Sequence, residues 1–196
     1  ISSEKDDTYD THPSKSKRLA SIEIGYNKAL DKKEKVVYQT TNTPQTFEEY
    51  YYSAYDKGRL KDYYGAIADF TKAIEIGNND DSDEASAYMN RGFLKTQLKD
   101  YYAAIEDFTK AIEIGINDDS NEAMTYFNRG YLKAVLKDYY GAIADYTKAI
   151  EIEPINAEAY TSRGYSKAEL KDYYGAIADY TKAIEIDPNY ANAYYY

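Results

Sequence analysis

The side chains that could do acid–base, metal or nucleophilic chemistry here are 34 Asp and Glu, one His and no Cys, among 196 residues. Without Cys there is no disulfide, thiolate zinc site or Cys nucleophile. His12 is the only histidine; it stands among Ser, Thr, Asp and Lys with no catalytic partner beside it, and no metal role is expected of it. An enzyme would need a nucleophile with its base, paired carboxylates in a cleft, a phosphate loop or a metal cluster. The many carboxylates of the middle and C-terminal parts recur at fixed intervals instead, as scaffold positions do. No catalytic residue, metal ligand or cofactor is therefore assigned, and the chain is not expected to be an enzyme.

Two acidic runs, NNDDSDEA and INDDSNEA, invite a calcium reading. They lack the D-x-[DN]-x-[DN]-G spacing and the distal bidentate Glu that such a loop needs. Asp81-x-x-Glu84 and Asp119-x-x-Glu122 resemble capping boxes instead, which would start the next helix about a turn early.

The totals narrow the partners. A formal net charge of -10 repels phosphate backbones and supplies no counterion release, so nucleic acid is not an expected partner. Aromatic bulk comes as 26 Tyr against 5 Phe and no Trp, so most rings can pack and still reach a polar partner at one edge. No stretch approaches the roughly 18 to 20 apolar residues of a membrane span, and no apolar signal core opens the chain. A soluble protein is expected, the cytoplasm favoured over export, with the compartment itself left unknown. Because the chain begins at Ile1, a removed leader or trimmed residues upstream stay open.

The elements that position these residues are visible as repetition. KDYYGAIADFTKAIEI begins at Lys61, KDYYAAIEDFTKAIEI at Lys99, and KDYYGAIADYTKAIEI at both Lys137 and Lys171. The intervals are 38, 38 and 34 residues. In the first copy Ala66, Ile67, Phe70, Ala73 and Ile74 fall at i, i+1, i+4, i+7 and i+8, while Asp69, Lys72 and Glu75 fall on other faces, which predicts an amphipathic helix. Turn chemistry ends each helix at Gly77-Asn78-Asn79-Asp80, Gly115-Ile116-Asn117-Asp118, Glu153-Pro154 and Asp187-Pro188. Between them YMNRGFLKTQL, YFNRGYLKAVL and YTSRGYSKAEL read as a second helix. A period in the thirties with two helices per unit points to a stacked solenoid.

These residues resemble the tetratricopeptide repeat pattern, W-x2-L-G-x2-Y, then A-x3-F, then P. Tyr160, Gly164, Ala176, Tyr180 and Pro188 take its places in the last full unit; Tyr126, Gly130, Ala142, Tyr146 and Pro154 in the third; Tyr88, Gly92, Ala104 and Phe108 in the second. The first unit, with Tyr50, Ala54, Ala66 and Phe70, has Ala in place of Gly, so its helices are expected to approach less closely. The resemblance implies an all-α, right-handed superhelical solenoid of antiparallel helix pairs. It also implies a concave surface lined by first helices and, as function, a protein-protein interaction scaffold. Its units are 47–84, 85–122, 123–156 and 157–190.

The chain departs from the pattern at Arg91, Arg129 and Arg163, which stand where it has Leu, and at Lys95, Lys133 and Lys167, where it has Tyr. An Arg at a half-buried seam needs a carboxylate, and Asp107, Asp145 and Asp179 are expected to supply structural ion pairs. Ser53 breaks the series and leaves Asp69 without that partner.

At the N-terminus, residues 1–18 read as a mobile arm. Residues 19–46 read as a degenerate capping helix and linker, since Tyr26-Asn27-Lys28-Ala29-Leu30 echoes YTKAI, although SIEI and KVVYQT look extended. Residues 191–196 open a fifth unit and stop, which suggests a longer array or a covering partner. The alternative function is a structural self-assembly module associating through this end, with Tyr190, Tyr194 and Tyr195 packing on the last second helix, Asp172 to Ile186, in a homo-oligomer.

With Tyr88, Gly92, Tyr126, Gly130, Tyr160 and Gly164 assigned to helix packing, a second stripe remains on the first helices. It comprises Tyr51, Tyr55, Met89, Asn90, Phe93, Phe127, Asn128, Tyr131, Thr161 and Tyr165. Such a stripe either packs between neighbouring first helices or holds a partner peptide, its amides bonding an extended backbone. Met89 and Phe127 occupy rows where a basic clamp could sit. An aliphatic or aromatic segment is therefore the expected ligand, with a basic residue near Glu48 or Glu158. An acidic ligand is the alternative, were Lys95, Lys133 and Lys167 to reach inward.

Overall fold

The computed structural model describes residues 46–78 and 80–188. All lie in the second of the chain's two compact units, Pro44–Tyr196. The N-terminal arm with His12, the capping segment up to residue 45, and Tyr190, Tyr194 and Tyr195 lie outside the described residues.

The described residues form eight helices: α1 (Phe47–Arg59), α2 (Tyr63–Ile76), α3 (Asp81–Gln97), α4 (Tyr101–Ile114), α5 (Asp119–Val135), α6 (Tyr139–Ile152), α7 (Ala157–Glu169) and α8 (Tyr173–Ile186). They contain no strand. Each helix packs on the next in chain order, most extensively within the pairs α1–α2, α3–α4, α5–α6 and α7–α8. The result is an all-α solenoid. None of the described helices is long and apolar enough to cross a membrane.

Within each pair a Leu-Lys-Asp turn joins the helices. Lys61, Lys99, Lys137 and Lys171 adopt left-handed backbone with φ between 62 and 66°. In the first pair the Lys61 N–H donates to the Gly58 carbonyl at 3.0 Å and the Asp62 N–H to the Lys57 carbonyl at 2.9 Å. That double closure satisfies the last carbonyls of α1 and outweighs the cost of a side chain at positive φ. The Asp then caps the following helix: Asp62, Asp138 and Asp172 each accept the N–H of a Gly three residues on, at 3.0 Å.

Asp100 makes no such cap bond. The reason is local. A Cβ at Gly65, Gly141 or Gly175 would collide with Oδ2 of the capping carboxylate, and α4 carries Ala103 at that position, where Asp100 makes no cap bond. Asp138→Ala is accordingly expected to lower stability by about 1 kcal/mol and Asp100→Ala by clearly less, compared by urea denaturation. Equal losses would show that the side-chain cap contributes nothing.

Helices α3 and α5 begin a turn earlier than α7, as expected, since Ala85 and Ala123 align with Ala157. The capping residues differ from the expectation. Asp80 and Asp118 cap, accepting from the Ser82 and Asn121 N–H groups at 2.9 Å, while Asp81 and Asp119 are already helical. A cap must keep extended backbone, and Asp80 does, at φ -117° and ψ 105°. A reciprocal capping box occurs instead at Thr46 and Glu49.

The core follows the small-residue seam. Ala66, Ala104, Ala142 and Ala176 are buried against the first helices. A Cβ at Gly130 would lie 3.1 Å from Asp145 Cβ and Tyr146 Cε1 and 3.2 Å from the Ala142 carbonyl oxygen; Gly92 is equally tight and Gly164 tighter, at 2.8 Å from Tyr180 Cε1. The carbonyl belongs to a helix and cannot yield. Gly130→Leu is expected to lower stability by roughly 1–3 kcal/mol through overpacking, measured as the shift in denaturation midpoint. An unchanged midpoint would mean that the seam opens freely.

Candidate partner-binding groove

The first helices α1, α3, α5 and α7 each carry one face into the stack, and its polar members form a repeated bracket. Arg91 donates to Asp107 through Nε at 2.9 Å and Nη2 at 2.7 Å, a fork across the α3–α4 pair. Arg129 grips Asp145 and Arg163 grips Asp179 at the same distances. Each guanidinium also sits over a ring of its own helix, Tyr88, Tyr126 or Tyr160, at 5.2, 5.5 and 5.4 Å. The expected ion pairs are present, and their carboxylates are buried.

Two parts of this bracket were not anticipated. The third guanidinium nitrogen reaches back to the preceding pair, donating to Thr71, Thr109 or Thr147 Oγ at 3.0 to 3.1 Å. Those hydroxyls in turn donate to carbonyls one turn earlier. The signal was in the sequence, since a Thr recurs in every FTKAI or YTKAI string. Lys95, Lys133 and Lys167 also bind Asp107, Asp145 and Asp179, each at 2.8 Å. The first pair lacks the Arg, as expected, but Asp69 is held by Ser53 Oγ at 2.6 Å and Lys57 Nζ at 2.5 Å.

The stripe proposed for binding divides by depth. Met89 is buried in a cluster with Ala104, Phe108, Ala111 and Leu132. Thr161 is buried and donates to the Ala157 carbonyl at 3.0 Å. Neither offers a partner any surface. Tyr51 stacks on Phe47 at 5.7 Å and meets Phe70 edge-on at 5.4 Å. Its hydroxyl accepts from Asn90 Nδ2 at 3.1 Å. Burial raises the Tyr51 pKa well above the usual phenol value, against the opposing effect of that hydrogen bond, so it is neutral. Phe127 packs at 5.5 Å on Tyr146, a core ring whose pKa burial also raises, opposed by a hydrogen bond to Ser162.

What remains outward is a row with one ring per unit. Phe93 is 46% exposed, Tyr131 50% and Tyr165 36%, at intervals of 38 and 34 residues. Tyr55 holds the same place in α1 and is half-buried, and Asn90 and Asn128 flank the row, half-buried as well. Tyr165 is braced by Tyr139, edge-on at 6.4 Å, whose hydroxyl donates to Glu169 at 3.1 Å. The arrangement is an apolar, amide-flanked surface on rigid helices.

Tetratricopeptide repeat models match residues 85–115 and 157–190 and, with a second model, 119–156. No curated protein matches the chain. Among solved structures, MamA from Desulfovibrio magneticus RS-1 is similar at 19% identity and a TM-score of 0.67, covering 75% of this chain and 78% of that one. The TPR domain of Arabidopsis OM64 matches at 28% identity and 0.54, over 59% of this chain and 92% of that one. The first TPR domain of Spaghetti (RPAP3), bound to the HSP90 peptide SRMEEVD, matches at 24% and 0.54, over 60% and 90%.

Proposed function

The chain belongs to the tetratricopeptide repeat family, and on that premise we propose that it is a protein-interaction scaffold that holds a peptide segment along its first helices. The observation that carries the reading is the ring row Phe93, Tyr131 and Tyr165, exposed at the same place in three successive units. Buried neighbours supply the core beneath it, and the part of each ring that stays uncovered is apolar surface that a partner's side chains could meet. A relative of the same fold holds the peptide SRMEEVD, which supports peptide capture as a use of this architecture.

The ligand chemistry proposed is aliphatic or aromatic. The acidic alternative required Lys95, Lys133 and Lys167 to be available, and all three ammonium groups are tied to buried carboxylates. Tyr55, Phe93, Tyr131 and Tyr165 would meet apolar side chains of the segment, and Asn128, with the Oδ1 of Asn90, whose amide nitrogen is held by Tyr51 and the Ser86 carbonyl, would bond its backbone.

A displayed random-peptide library selected on the intact chain tests this. Enrichment of aliphatic and aromatic sequences that compete with one another is expected. Enrichment of acidic termini, or no enrichment at all, would overturn the reading.

A further inference from the structure

Glu106 sets the second unit apart. At the matching position the other units carry Ala68, Ala144 and Ala178. Its side chain is exposed, and it has no hydrogen bond or ion pair among the described residues. The partner expected for it is Lys110, one turn further along α4. Lys110 binds Glu113 instead, at 2.6 Å, just as Lys148 binds Glu151 at 2.6 Å in a unit without such a glutamate. Glu106 lines a groove of about 370 Å3 between α3 and α4, in which the half-buried Tyr88 ring and Ile105 supply apolar wall. The other charged side chains there are committed. Arg91 is held by Asp107 and Thr71, Asp107 also by Lys95, and Lys110 by Glu113.

We propose that this groove is a second binding site, which takes an arginine side chain of a partner protein. Arginine has the two parts that the groove matches: methylenes to lie against Ile105 and the Tyr88 ring, and a planar fork that donates two N–H groups to one carboxylate, here Glu106. Charge complementarity selects it over an acidic or neutral side chain. The net charge of -10 also draws cations toward the chain as a whole. The site goes beyond the peptide groove and is separate from it. Tyr88 and Phe93 stand five residues apart, which places them about 140° from each other around α3.

The test titrates the intact, isotope-labelled chain with N-acetylarginine N-methylamide at constant ionic strength and follows backbone amide shifts by NMR. A second titration uses the citrulline counterpart, which keeps the shape and lacks the charge. Saturable shifts centred on Tyr88 and on Ile105 to Lys110 are expected with the arginine probe. Affinity should fall at least threefold with the citrulline probe, and by as much in Glu106→Ala. That variant installs the residue that the other three units carry at this exposed position, so the fold stays intact. Phe93→Ala with Tyr131→Ala should leave the affinity unchanged, which separates this site from the peptide groove. Absence of saturable shifts overturns the proposal, as do shifts scattered over the acidic surface or centred on the ring row. Equal affinity for citrulline, affinity that survives Glu106→Ala, or affinity lost in the ring variant overturns it as well.

Discussion

Asp145→Ala is expected to destabilise the protein by about 3 kcal/mol, because it strips a buried carboxylate from two cations at once. Arg129 loses its bidentate partner and Lys133 its ion pair. The guanidinium keeps Thr109 and the Tyr126 ring, and both cationic side chains reach solvent at one edge, which holds the loss near the lower end for a broken buried pair. The companion variant makes the cause identifiable. Arg129→Leu restores the residue that the repeat pattern carries at this place. Combined with Asp145→Ala it is expected to cost less than Asp145→Ala alone, since the uncompensated guanidinium is gone and Lys133 can extend to water. Urea denaturation of the four proteins in the cycle measures the coupling. If the double variant loses as much as the sum of the singles, the bracket is not an interacting unit.

Phe93→Ala together with Tyr131→Ala is expected to abolish partner capture, a drop of a hundredfold or more, with helicity nearly unchanged. Each ring is about half exposed, so the fold draws little from it, whereas a bound segment would bury the remaining area. At about 25 cal/mol per Å2 of apolar surface, covering two such rings contributes on the order of 3 kcal/mol, or about two decades in affinity. Met89→Ala is the contrasting control. That side chain is buried against Phe108 and Leu132, so its loss should lower stability by about 2 kcal/mol or more without removing any contact surface. Retention of library-selected peptides by the ring variant would place the site elsewhere on the chain.

The sharpest differences between sequence and structure lie within single helices. Met89 and Phe93 are both apolar, four residues apart on one stripe of α3, and only one of them faces out. Likewise Phe127 is half-buried on Tyr146 while Tyr131 stands exposed, and Thr161 is sealed although it stands in the same row as Phe127. Periodicity assigns a side to a residue, and the depth reached on that side depends on how far neighbouring helices extend over it. The lysines follow the same logic. Lys133 stands where the repeat pattern has an aromatic residue, and its long stem carries the ammonium to Asp145 on the facing helix, which spacing along one helix does not reveal.

By itself the sequence determined the repeat, the helix pairs, the glycine–alanine seam and the Arg–Asp partnership, because all of these are written in local spacing and repeated in successive units. It also determined that the acidic runs begin helices, although the capping position lay one residue earlier than the spacing indicated, at Asp80 and Asp118. Only the tertiary structure decided the rest: the threonines that take each arginine's third nitrogen, the lysines that share each carboxylate, and the three rings left over as a surface. Those depend on contacts between residues about twelve to forty positions apart on different helices, and such contacts exist only once the helices are stacked.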